Sequence, residues 1–131
     1  MLRDSSLHCL MVNKMNEIVE KTLLYDFYGE LLTPHQKDIY EQYILEDLSL
    51  SEIAVNQGVS RQGIHDLVRR CEKILEGYEN KLHLVEKFLA IRDNVSEIEE
   101  LFERYDKEDE LTVDELMMNV REISREILEK L

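Results

Sequence analysis

The segment between Leu50 and Leu67 constrains the fold of this chain more than any other. Ala54, Gly58 and Ser60 stand at fixed offsets within it. Ala54 allows two helices to approach closely where they cross, Gly58 can take the positive φ of a tight turn, and Ser60 can cap the helix that follows. This spacing predicts a helix-turn-helix, a motif whose second helix can enter the major groove of DNA.

Apolar residues complete the predicted motif. We expect Ile53, Ile64 and Leu67 to form the core that the two helices share, and Val59 to plug their junction. The alternative is a corner between two bundle helices that has no role in nucleic-acid binding. Because both helices carry N-capping residues at the matching offsets, the sequence favours the helix-turn-helix as structure.

The rest of the chain also predicts helices, because its 131 residues include only four Gly and one Pro. Ser or Thr followed by Glu or Gln three residues later marks helix starts at Thr33, Ser49, Ser96 and Thr112. We therefore predict an all-α fold. The helices are expected over residues 16–32, 34–45, 50–57 and 61–92, followed by two more that residues 106–111 join.

Helical periodicity predicts which side chains are buried. The first helix has apolar residues every four positions, at Val19, Leu23, Phe27 and Leu31. The second is expected to bury Ile39, Tyr40, Tyr43 and Ile44. Further along the chain, apolar residues alternate in steps of four and three, which predicts one long helix packed along a partner helix, with a weak point at Gly77. These apolar residues are Ile64, Val68, Cys71, Leu75, Tyr78, Leu82, Val85 and Leu89.

The last helix has a second apolar stripe, or seam, at Val113, Leu116, Val120, Ile123 and Ile127. Met117 and Met118 are expected to fill space in this seam. Two such seams fit either bundling within one chain or a homodimer, and the sequence leaves both open. We expect a homodimer, because proteins that read half-sites usually work as pairs.

Charge divides the chain into segments. The net charge is −13 at pH 7, and residues 94–131 hold 13 acidic against 5 basic side chains. We therefore predict a helix-turn-helix domain over residues 15–93 and an acidic C-terminal helical segment over residues 94–131. Residues 1–14 are predicted to be a disordered extension, with Met11 and Met15 as alternative translation starts.

The outward face of the second motif helix carries the candidate nucleic-acid-binding residues. Arg and Gln read guanine and adenine edges with two hydrogen bonds, and Lys binds phosphate. Residues 60–75 carry four basic against two acidic side chains, a net charge of +2. The alternative is an ordinary solvated helix face. The candidates are Arg61, Gln62, His65, Arg69, Arg70 and Lys73.

The sequence predicts no catalytic residue, metal site or cofactor, and hence no enzyme. The four His and two Cys show no ligand spacing, and no phosphate-binding Gly-rich loop is present. Two Cys are too few for a disulfide framework, and no apolar run approaches the ~20 residues that span a bilayer. We expect a reduced, cytoplasmic setting with no membrane association.

Three blocks resemble a known family: residues 26–33 (DFYGELLT), 47–54 (DLSLSEIA) and 59–66 (VSRQGIHD), followed by YENKL at 78–82. Together they resemble the YlxM family of bacterial helix-turn-helix proteins, which is similar in fold to region 4 of sigma factors. The resemblance covers about residues 15–91, with Gly63 where relatives usually carry Ala. It implies DNA binding and a role in the signal recognition particle pathway, with contacts to the particle's RNA or protein components.

The leading hypothesis is a non-catalytic regulatory protein that uses the predicted face on DNA or structured RNA, within or near protein targeting. The rival is a protein-interaction adaptor, in which the helix-turn-helix is scaffold and the acidic helices bind a basic partner. In a third hypothesis the acidic segment masks the recognition helix.

Overall fold

A computed structural model describes residues 16–107 and 111–131. The extension and the alternative starts predicted for residues 1–15 lie outside the described residues. All regular structure in the described ranges is helical, which confirms the all-α class. The helices are α1 (residues 16–28, extended by the 3₁₀ turn Gly29–Leu31), α2 (Pro34–Ile44), α3 (Leu50–Gln57), α4 (Arg61–Leu82), α5 (Leu84–Asp106) and α6 (Val113–Lys130).

Three of the four predicted capping boxes are confirmed. The hydroxyls of Thr33, Ser49 and Thr112 accept hydrogen bonds from the backbone N–H three residues later, and Gln36, Glu52 and Glu115 return the bond. Each box satisfies two N–H groups that have no partner within the helix. Helices α2, α3 and α6 therefore begin where their local sequence specifies.

The helix start predicted at Ser96 is wrong. Ser96 lies inside α5, and its hydroxyl donates to the carbonyl oxygen of Arg92 at 3.0 Å. The hydroxyl of a Ser within a helix can donate a hydrogen bond to the carbonyl oxygen four residues back. Ser is therefore compatible with the interior of a helix as well as with its N-cap. Helix α5 begins instead at Leu84, after His83.

This contrast gives a matched pair of substitutions. Thr112→Ala removes a capping oxygen, so we expect the free energy of unfolding to fall by about 1 kcal/mol. Ser96→Ala removes only a mid-helix hydroxyl and introduces the best helix former, so we expect no loss. Urea unfolding followed by circular dichroism measures both. Equal losses in the two variants would contradict the assignment of the caps.

The single long helix predicted over residues 61–92 is also wrong. Helix α4 ends at Leu82, and His83 takes a left-handed conformation with φ 54°. Gly77, the predicted weak point, lies within α4. The chain forms two compact units that meet in sequence between Leu82 and His83. The functional boundary predicted after residue 93 falls within α5 and stays a prediction.

In the first unit, α2 and α3 pack against α4 and against each other. The predicted core residues Ile53 and Ile64 are buried, and Leu67 is half-buried. Tyr43 and Ile44 are only half-buried. The core of these three helices consists of Ile39, Tyr40, Ile53, Ala54, Ile64, Val68, Cys71 and Leu75.

The buried stripe predicted for α1 is wrong by one position. Val19, Phe27 and Leu31 are exposed and Leu23 is half-buried, whereas the buried residues are Leu24, Tyr25, Tyr28 and Leu32. The Tyr rings can be buried because their hydroxyls find acceptors: Tyr28 donates to Glu79 at 2.6 Å, and Tyr25 donates to Glu41. Hydropathy predicts that Phe27 is buried in preference to a Tyr. The hydrogen bonds to Glu41 and Glu79 allow the two Tyr to be buried instead.

The second unit is a hairpin of α5 and α6. Leu116 and Ile123 are buried and Val120 and Ile127 are half-buried, as the predicted seam requires, whereas Val113 is exposed. Met117 and Met118 are exposed, so the prediction that they fill the seam is wrong. They lie 100° and 200° around the helix from Leu116, at about 100° per residue.

Asn94 is the buried polar residue of this hairpin. Its amide nitrogen donates to Glu126 at 3.0 Å, and its amide oxygen accepts a hydrogen bond from Lys130. A buried amide is tolerated only when both ends are satisfied. These bonds therefore fix the register of α5 against α6, with Asn94 level with Glu126.

Candidate nucleic-acid interface

The turn between α3 and α4 has the geometry that its sequence predicts. Gly58 adopts a left-handed conformation with φ 65°, and its N–H donates back to α3. Ser60 Oγ then accepts a hydrogen bond from the N–H of Gly63 at 3.0 Å, which caps α4. Val59 is 52% exposed and does not plug the junction, contrary to expectation, because Ile53, Ala54 and Ile64 already fill it.

Gly63 has a local packing role at the start of α4. A Cβ at this position would lie 3.2 Å from Ser60 Oγ, closer than ordinary van der Waals contact. The missing side chain leaves space for the capping hydroxyl. Gly also carries a helix-propensity cost of about 1 kcal/mol relative to Ala.

All six predicted interface residues lie on α4, away from its buried side. Five are exposed, and His65 is half-buried. The buried residues Ile64, Val68, Cys71 and Leu75 fix the rotation of the helix, so the outward stripe follows from the core. A shallow depression of about 400 Å³ is lined by His65, Asp66, Arg69, Arg70 and Lys73. Arg61 and Gln62 lie one turn nearer the N-terminus of α4, next to the turn between α3 and α4.

Four cationic groups on this face make no ion pair within the described residues, those of Arg61, Arg69, Arg70 and Lys73. Asp66 lies among them, but its carboxylate is already bonded. It accepts from Gln62 Nε2 at 3.0 Å and lies 3.5 Å from His65 Nδ1. The arrangement presents guanidinium and ammonium groups to solvent and holds the Gln62 amide at an i, i+4 position beside Asp66.

Lys21, which is absent from the predicted site, changes the charge balance of α4. Its ammonium lies 3.0 Å from Glu72, one of the two acids counted against the basic face. Partial burial lowers the pKa of Lys21, but the hydrogen bond and the charge of Glu72 raise it further, so the net shift is upward. Because Lys21 and Glu72 are 51 residues apart, no spacing rule reveals this pair.

Cys71 lies on the opposite, buried side of α4. Burial raises the pKa of its thiol to about 11, against a smaller lowering by the charge of Arg70. The thiol is therefore protonated at neutral pH and packs as a small apolar residue, with Sγ 4.0 Å from the carbonyl oxygen of Gln36. Such an environment disfavours nucleophilic chemistry at this residue.

Within the described ranges, no cluster of three or more His, Cys, Asp or Glu is placed to hold a metal ion. No helix there is both long and apolar enough to cross a bilayer.

Comparison with known proteins gives consistent matches. Residues 15–110 match the family model UPF0122, described as "Putative helix-turn-helix protein, YlxM / p13 like". A UPF0122 protein of Thermoanaerobacter sp. (strain X514) is 42% identical over 111 residues, which cover 82% of this chain and 91% of the relative. One from Caldanaerobacter subterraneus subsp. tengcongensis is 49% identical over 79 residues, 60% of this chain and 68% of the relative.

A third relative, a UPF0122 protein of Oceanobacillus iheyensis, is 55% identical over 65 residues, half of this chain and 62% of its own length. The matched range contains α1 through α5 and the helix-turn-helix with its α4 face. The turn geometry at Gly58, the cap at Ser60 and these matches agree, and the chain belongs to the YlxM / p13-like helix-turn-helix family.

Proposed function

We propose that this chain is a non-catalytic DNA-binding protein that inserts α4 into the major groove. The observation that carries the proposal is the outward face of α4, where four cationic groups have no ion-pair partner within the described residues. An exposed cation in an ion pair must break that pair before it can bind phosphate. These four cations have no such pair to break within the described residues. The basic face is thus prepared for a polyanion.

The positions along α4 suggest a division of labour. Arg61 and Gln62 occupy the first turn, where recognition helices contact base edges. His65 and Arg69 follow on the same stripe, and Arg70 and Lys73 lie where phosphates pass the helix. The bond to Asp66 fixes the Gln62 amide, so its two hydrogen-bonding atoms have a preferred direction. A fixed amide loses less entropy when it pairs with adenine.

The net charge of the whole chain opposes DNA binding and limits the affinity that we expect. A net charge of −13 repels DNA at long range, whereas the four cations act within a Debye length of ~10 Å at 0.1 M salt. The pairing of Lys21 with Glu72 supports the proposal, because it neutralises an acid at the edge of the basic face. We therefore expect moderate affinity, with a salt dependence set by these four cations.

The resemblance to the YlxM family extends the proposal to a biological setting, the signal recognition particle pathway. There the same face would regulate the genes of the pathway or contact the particle's RNA. The basic face fits the phosphate backbone of either nucleic acid.

Fluorescence anisotropy tests the proposal with two labelled probes, the duplex promoter of the chain's own operon and the particle RNA. We expect the promoter to bind, with a slope of log affinity against log salt between about −2 and −4, since up to four cations release counterions. Preference for the RNA probe would move the function from DNA to RNA. If neither probe binds a chain with a normal circular dichroism spectrum, the proposal fails.

A second candidate is the adaptor function, favoured by an acidic groove on the α5–α6 hairpin. The groove encloses about 410 Å³, and its charged lining is Glu97, Glu100, Arg104, Glu122 and Glu126. Four carboxylates against one guanidinium suit a basic peptide. Loss of binding to a basic peptide in the Glu100→Gln, Glu122→Gln double variant would support it, and unchanged binding would exclude this groove.

A further inference from the structure

Asp66 is an acid in the middle of the basic face of α4, where phosphate binding does not explain it. It lines the same shallow depression as His65, Arg69 and Lys73. Its side chain is 60% exposed, and a carboxylate at this place repels the phosphates of DNA. Its closest side-chain contact is with Gln62, whose Nε2 donates to Asp66 Oδ1 at 3.0 Å. This contact is therefore the route by which Asp66 can contribute to recognition.

The contact decides which end of the Gln62 amide is available to a ligand. An ionised carboxylate only accepts hydrogen bonds, so the NH₂ end of the amide lies toward Asp66. The carbonyl oxygen lies at the other end of the amide and accepts no hydrogen bond within the described residues. Turning the amide over would bring Gln62 Oε1 against Asp66 Oδ1, two acceptors with no hydrogen between them. Asp66 therefore disfavours the reversed amide.

The orientation of an amide determines which base it can pair with in the major groove. Adenine presents the N6 donor beside the N7 acceptor, whereas guanine presents O6 and N7, which are both acceptors. An amide oxygen directed at the base accepts from adenine N6, and the second hydrogen on Nε2 remains for N7. The same oxygen would meet guanine O6 acceptor against acceptor. Cytosine offers the N4 donor without an acceptor beside it, so it can form only one of the two bonds.

The basic side chains of the face cannot make this selection. Arg and Lys carry donors and no acceptor, so they favour guanine and the phosphate oxygens. Gln62 is the one amide among the six proposed interface residues. Selection of adenine by this face therefore depends on the direction of the Gln62 oxygen.

We propose that Asp66 is a positioning residue that determines specificity: it holds the Gln62 amide with its oxygen toward the groove, so that α4 selects adenine and rejects guanine at one base pair. This role rests on the proposed DNA binding. The charge of Asp66 lowers the affinity for every sequence, and its bond to Gln62 increases the difference in affinity between sequences. An acid within a basic face has a function on this basis.

A library of DNA duplexes with a randomised central segment tests the proposal without a known target sequence. Duplexes bound by the full-length chain are recovered and sequenced, which gives the base preference at each position. We expect adenine to be enriched over guanine by about tenfold or more at one position, as a pair with two hydrogen bonds provides. Gln62→Ala should lose this enrichment and keep the preferences at other positions.

Asp66→Asn should change affinity and specificity in opposite directions. An Asn amide can either accept from the Gln62 amide or donate to it, so both orientations of Gln62 become accessible. We expect guanine to become about as enriched as adenine at that one position. The affinity for the whole library should rise roughly two- to tenfold, because a charge of the same sign as phosphate is removed. A purely structural role of Asp66 would not combine these two effects.

Two controls isolate the contact. Glu76→Gln removes the same charge from an exposed site further along α4, so it should leave the adenine preference unchanged. In the Gln62→Ala background, Asp66→Asn should no longer alter the base preference, because the amide through which Asp66 acts is absent. Circular dichroism checks that each variant is folded.

Each adverse outcome has a distinct meaning. If the wild-type chain enriches no duplex, the proposed DNA binding fails, and the role of Asp66 fails with it. If the wild-type chain enriches a site but Asp66→Asn leaves the base preferences unchanged, only the role of Asp66 is overturned. Loss of a cytosine preference in Asp66→Asn, without gain of guanine, would assign a direct base contact to Asp66 and would also overturn the proposal.

Discussion

Reversal of charge at Arg69 and Lys73 is expected to weaken DNA binding by more than about 100-fold while the fold stays intact. Both side chains are exposed on α4 and have no ion pair within the described residues, so their removal breaks no such contact. Each contributes on the order of 1–3 kcal/mol if it contacts a base or phosphate, and the introduced Glu adds repulsion. The slope of log affinity against log salt should also decrease in magnitude by about 2.

The matched control for this double variant is Lys81→Glu. Lys81 is an exposed base on the same helix but belongs to its last turn, away from the helix-turn-helix. Its reversal changes net charge by the same amount per site without touching the proposed face. Anisotropy measurements should therefore show a small, salt-sensitive loss. Comparable losses in the control and in the double variant would mean that binding depends on overall charge and not on this face.

Ile53→Ala is expected to cause the largest loss of stability, about 3 kcal/mol within the range of 2–5 kcal/mol for buried Ile. Ile53 is fully buried where α3 packs against α4. Removing three carbon atoms there leaves a cavity beside Ile64 that helices locked by Gly58 and the Ser60 cap cannot easily close. The midpoint of urea unfolding should fall with little change in its slope.

Val55→Ala is the control for that substitution. Val55 lies two residues further along α3 and is 81% exposed, so the loss of two carbon atoms from this β-branched side chain should change stability by less than about 0.5 kcal/mol. The pair separates burial from helix propensity because both residues occupy the same short helix. If the two variants lose similar stability, then α3 is not held by packing against α4.

The functional and stability variants also separate two causes of lost activity. Ile53→Ala should reduce DNA binding only in proportion to the unfolded fraction, and binding should return on cooling or with a stabilising osmolyte. Reversal at Arg69 and Lys73 should reduce binding at every temperature. If each variant both loses stability and loses DNA binding at every temperature, then the α4 face and the core form one cooperative unit.

The parts of the site that the sequence predicted are those fixed by neighbours within four residues. The capping boxes at Thr33, Ser49 and Thr112, the turn at Gly58 and the cap at Ser60 all involve such short spacings. Their hydrogen bonds form within one turn of helix, so the local sequence can specify them. The same spacing at Ser96 lies inside α5, because nothing in the local sequence ends the helix before it. The α4 stripe was also predictable, because the buried residues on the same helix specify which side faces outward.

Other features depended on contacts between distant residues. The sequence alone established a helical chain, its helix-turn-helix and a basic stripe on an acidic background. Only the tertiary structure decided that Tyr25 and Tyr28 are buried and Phe27 is exposed, that Lys21 neutralises Glu72, and that Asn94 lies inside the α5–α6 hairpin. The physical reason is that a polar group can be buried only where a specific partner meets it, and those partners come from other helices.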